Sequence, residues 1–106
     1  MLDKLKKMTG GDEKQMQLYI QTYIEGMTIK LSALKAALAN EEYHDIGTIV
    51  HTSKTLFNFM GFDALYKLAN HIEMGINKRY SQEITREHTA SLIEDIQETI
   101  DQLKDI

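Results

Sequence analysis

Between Met16 and Leu38 the apolar residues Met16, Ile20, Tyr23, Met27, Leu31, Leu34 and Leu38 are separated by gaps of four, three, four, four, three and four. At about 100° per residue these gaps hold them on one side of an α-helix for more than about six turns. A helix of that length with a single apolar stripe has to lay the stripe against other helices. The rest of the chain supplies them.

Leu2, Leu5 and Met8 repeat at helical spacing in a short lead-in segment that stops at Thr9-Gly10-Gly11, where two glycines break the helix. Asp12 is the N-cap of the long helix, with Gln15 three residues on, and Gly26 is a place where that helix could bend. Asn40 is expected to take a left-handed conformation after its last turn. Glu41 and Glu42 then place negative charge at the positive end of the next helix. That helix is expected to close on Gly61 as C-cap, with Asp63 capping the one that follows. Leu65, Leu68, Ala69, Ile72 and Ile76 mark a further stripe running to about Arg79, with Lys78 and Arg79 at its negative end. Ser81 is the next N-cap, and Leu92, Ile93, Ile96, Ile100 and Leu103 continue the period in the last segment. The chain has 106 residues, six glycines and no proline, a composition that favours helix over sheet. The expected fold is all-α: an antiparallel four-helix bundle with a short N-terminal lead-in helix, forming a single domain over residues 1–106.

Composition also excludes function classes. Without cysteine there is neither a disulfide framework nor a thiolate metal site. A net charge of −4 gives no general attraction to nucleic acid. The basic start, Met1 to Lys7, lacks the apolar run of a signal peptide and no stretch approaches a membrane span, so a cytoplasmic location is expected.

The third segment carries the chemistry. Ile46, Ile49, Val50, Ser53, Leu56, Phe57 and Met60 fall on its core side, and His51 stands on the opposite stripe. On the same wheel His44 and Asn58 lie about 20° from His51, Thr55 and Gly47 about 40°, and Thr48 and Lys54 about 60°. The imidazole is therefore expected in water, with little bulk around it and a cation within reach at i+3. Such an arrangement suits a transferable phosphoryl group, the neutral ring attacking and the ammonium stabilising charge on the oxygens. Thr48, Thr55, Asn58 and Phe59 border it as candidate partner-docking residues, Phe59 about 80° from His51 and outside the apolar arc. His44, His71 and His88 form no i, i+4 pair, so no metal site is expected from their spacing. No glycine-rich nucleotide loop is visible.

His51, Lys54 three residues on, Gly61 ten residues on, and Glu73 as the glutamate in which the following helix ends together resemble a histidine phosphotransfer (HPt) domain. The likeness covers nearly the whole chain. It departs at Thr55, where the commonest pattern has glycine. The resemblance implies a four-helix bundle with His51 as phosphoacceptor and Lys54 as its supporting cation. It implies response-regulator receiver domains or a hybrid histidine kinase as partners, with Mg2+ held by the receiver and no cofactor on this chain. It also implies a phosphocarrier with no autokinase activity, no nucleic acid, no membrane and no small-molecule substrate. The rival expectation is a degenerate relative that binds receivers without accepting phosphate.

Overall fold

Five helices follow one another in the computed structural model, which describes residues 2–106: α1 (Asp3–Thr9), α2 (Glu13–Ala39), α3 (Tyr43–Met60), α4 (Asp63–Asn77) and α5 (Gln82–Lys104). Met1, part of the basic start, lies outside them. The four long helices form an antiparallel bundle in which α2 packs on α3 and α5, and α4 packs on the same two, closing a square. The short α1 lies over α2 and α3 at one end. Among the described residues no helix is long and apolar enough to cross a membrane.

Each long helix buries the stripe its period marks out. From α2 the interior takes Ile20, Tyr23, Met27, Leu31 and Leu34, from α3 Ile46, Val50, Phe57 and Met60, from α4 Leu65, Ala69 and Ile72, and from α5 Leu92, Ile96, Ile100 and Leu103. Met16, Leu38, Ile49, Leu56, Leu68, Ile76 and Ile93, at the ends or margins of their stripes, are half-buried. Three aromatic rings centre this core: Tyr23 meets Phe62 edge to face at 5.2 Å and Phe57 at 6.5 Å. The Tyr23 hydroxyl is also buried and finds Thr99 Oγ1 at 2.7 Å. Burial pushes this phenol up to about 12, against the opposing effect of the Thr99 hydrogen bond.

Several local expectations are corrected. Met8 does not face the interior; Leu2 just before α1 and Leu5 and Thr9 within it are buried, while Met8 is 46% exposed. Gly26 lies within the single helix α2 and, apart from any bend, lets α3 approach closely, since a Cβ there would come 3.2 Å from Leu56 Cδ1. Asn40 has φ −95°, and the left-handed residue of that turn is Glu41, at φ 54°. The Asn40 side-chain amide donates back to the Ala36 carbonyl at 2.9 Å, the carbonyl that its own backbone N–H also reaches. Asp63 is the first residue of α4, not its cap, and Ser81 holds the N-cap position of α5 without a side-chain bond. Helix α4 stops at Asn77, two residues short of Arg79, which turns left-handed at φ 54°. Asp12 does cap α2, its carboxylate accepting from the Gln15 N–H at 3.0 Å. Gly61 does end α3, at φ 74°, a conformation that suits a residue without Cβ.

Candidate functional site

Helix α3 presents His51 midway along its length, and the side chain is 68% exposed. Its ring is not free to spin. Nδ1 lies 3.0 Å from Glu73 Oε1, on the neighbouring α4. An ionised carboxylate has only acceptor atoms, so the proton of this bond sits on Nδ1 and the lone pair of the neutral ring sits on Nε2, away from Glu73. The same carboxylate oxygen receives the Lys54 ammonium at 3.1 Å. Lys54 also donates to Asn70 Oδ1 at 2.9 Å and lies 5.7 Å from the centre of the Tyr66 ring.

Lys54 and Glu73 are each only 18% exposed, in contrast to the imidazole they support. A firm ion pair of α3 with α4 thus forms the floor, and the ring stands on it. Beside the ring is an open depression of about 260 Å³ walled by His44, Gly47, Thr48, Ile76 and Asn77. Gly47 keeps that side clear. The arrangement can offer one oriented nitrogen nucleophile to a partner, with a cation beside it.

A model of the Hpt domain family matches residues 18–106. The chain belongs to the Hpt domain family. Hpt domains are helical bundles that carry phosphoryl groups on histidine in phosphorelays and interact there with receiver domains and histidine kinases; in general they are phosphocarriers, not autokinases. No curated protein and no solved structure matches the chain.

The residues around His51 of this Hpt domain are placed as follows. Thr48 and Thr55 are exposed, and Thr48 Oγ1 donates to the His44 carbonyl at 3.3 Å. Asn58 is exposed but engaged, since Lys4 Nζ of α1 donates to its backbone carbonyl at 2.9 Å and to Oδ1 at 3.2 Å. Phe59 stacks on Tyr19 of α2 at 5.9 Å and remains 42% exposed, so it both packs on a neighbour and offers a face to solvent. Thr52, also exposed, accepts from Lys30 Nζ at 2.8 Å. Lys54 reaches the region of His51, as its i+3 position requires, yet it does so half-buried and already paired.

Sequence reasoning gave no role to Asn70, Lys4 or Lys30, and named Glu73 only as a helix-ending glutamate. Glu73 in fact lies four residues inside the end of α4. Periodicity could have put Glu73 and Asn70 on the flank of the Ala69, Ile72 and Ile76 stripe. Which helix that flank would face is a property of the assembled bundle.

Proposed function

We propose that Nε2 of His51 accepts a phosphoryl group from the aspartyl phosphate of a receiver domain and surrenders it to the aspartate of another. In the forward step the Nε2 lone pair attacks phosphorus in line, the bond from phosphorus to the aspartate oxygen breaks, and the electron pair leaves with the aspartate carboxylate. The proton on Nδ1 stays where it is. The ring gains positive charge as the new bond forms, and Glu73, 3.0 Å from Nδ1, stabilises that charge where it develops. Lys54, held beside the ring through the same carboxylate, stabilises the negative charge on the incoming phosphoryl oxygens. Thr48, Thr55, Asn58 and Phe59 border the ring as the surface on which the receiver docks, and Gly61 is structural. The Mg2+ that such transfer uses belongs to the receiver's carboxylates, because among the described residues the one carboxylate paired with His51 is already shared between the ring and Lys54. The location that goes with this role is the cytoplasm.

The observation that carries the proposal is the hydrogen bond from Nδ1 to Glu73, which leaves the other nitrogen as an exposed nucleophile. The test is to incubate the chain with a phosphorylated receiver and follow label on the protein. Label that is acid-labile and alkali-stable in the wild type, and absent from His51→Gln, supports transfer. Tight receiver binding with no label from several receivers supports instead a domain that docks without chemistry.

A further inference from the structure

On the side of the bundle where α4 meets α5, two histidines 17 positions apart in sequence come together. The ring centres of His71 and His88 lie 6.2 Å apart with their planes tilted by 37°. Among the described residues neither ring makes a hydrogen bond or an ion pair, so the nitrogens of both are uncommitted. They line one small cavity of about 110 Å³ together with Met74, Tyr80, Ile84 and Thr85. Among the described residues no third His, Cys, Asp or Glu joins them.

We propose that His71 and His88 form a two-imidazole chelate for a late first-row divalent cation, with Zn2+ as the reference ion, bridging α4 and α5. Imidazole is the preferred neutral ligand of this group of metals. With bonds from zinc to nitrogen of about 2.0–2.1 Å, two imidazoles on one tetrahedral ion have ring centres about 5 Å apart. The observed separation of 6.2 Å is about 1 Å longer, and rotation about the side-chain bonds of the two histidines would close that difference. Water fills the remaining positions of the ion. Met74, Tyr80 and Ile84, each between 44% and 50% exposed, form an apolar rim that lowers the local dielectric and strengthens ligation. The thioether of Met74 stands on the same wall as a soft neighbour for the metal. Because the two ligands come from different helices, a bound ion ties the α4–α5 seam together and stabilises the folded chain by linkage. This site is separate from His51 and does not depend on its chemistry.

Calorimetric titration of the full chain with ZnCl2 is expected to saturate at one ion per chain and to raise the melting temperature by several degrees. His71→Gln and His88→Gln each lower the affinity at least tenfold and abolish the thermal shift, while His51→Gln binds as the wild type does. In chain labelled with 15N at histidine, zinc moves the ring nitrogens of His71 and His88 first; this reading decides the matter in the wild type even if a variant does not fold. Absence of saturable binding, affinity in both variants within twofold of wild type, or ring shifts at His44 and His51 in place of these two overturns the proposal.

Discussion

His51 Nδ1 lies 3.0 Å from Glu73 Oε1, a contact made from α3 to α4 by residues 22 positions apart. It fixes which nitrogen of the ring is nucleophilic. Glu73→Gln keeps an acceptor oxygen at this place, whereas Glu73→Ala removes it and lets the ring sample both tautomers. Loss of one hydrogen bond of about 0.5–1.5 kcal/mol corresponds to a phosphorylation rate about two- to tenfold lower in the alanine variant. The glutamine variant is expected between that value and wild type. Single-turnover labelling by a phosphorylated receiver measures both, and equal rates in all three proteins would remove Glu73 from the account.

Lys54 shares that carboxylate oxygen at 3.1 Å. Lys54→Met keeps an unbranched apolar side chain of similar length but removes the charge, and the rate of labelling is expected to fall by about tenfold or more, the scale of a charge-assisted hydrogen bond. A labelling rate within twofold of wild type contradicts the assigned role.

Gly61 couples the end of the histidine helix to the lead-in helix. Its φ is 74°, and a Cβ placed there would stand 2.7 Å from Cβ of Lys4, an atom with no freedom to swing away. Gly61→Ala is expected to cost about 1–3 kcal/mol, the left-handed backbone and the collision adding together. Gly10, at φ 64° with nothing within 4 Å, supplies the control, since Gly10→Ala meets only the backbone term. Denaturant melts that show equal losses for the two substitutions would mean the Lys4 contact is relieved without cost.

Tyr23 gives the fold an alkaline limit. Its phenol, pushed by burial from 10.0 to about 12, holds its proton in the folded chain at pH values where the unfolded chain has released it. The stability tied to this proton is fully present below about pH 10 and is lost as pH rises to about 12, amounting to about 2–3 kcal/mol over that window. Tyr23→Phe costs about 1 kcal/mol at neutral pH, with Thr99 keeping the Ile96 carbonyl as partner at 2.7 Å. The variant's stability should be flatter than wild type between pH 10 and 12. Parallel curves would contradict the burial argument.

The parts legible in the sequence are those whose cause is local. The stripe from Met16 to Leu38, the cap at Asp12 and the stop at Gly61 depend on residues within a turn or two of one another, and these carry the fold class. The outward position of His51 follows from the same arithmetic, because Val50, Ser53 and Phe57 claim the other side of α3. Asn40 and Glu41 show where this logic weakens: either could have carried the left-handed turn, and it falls on Glu41, while the Asn40 amide bonds back to Ala36. Contacts between helices were not legible. Glu73 under His51, Lys4 on Asn58, and His71 beside His88 are set by how the bundle closes, which no spacing within one helix encodes.

The most direct test of the central claim is to observe the ring nitrogens themselves. Chain labelled with 15N at histidine is phosphorylated by a receiver, and its long-range nitrogen–proton spectrum is compared with that of the unmodified chain. Of the four imidazoles, only that of His51 is expected to show a phosphorylated nitrogen, and that nitrogen is Nε2, with Nδ1 still protonated toward Glu73. Phosphate on Nδ1, on another histidine, or on none of the four would contradict the account.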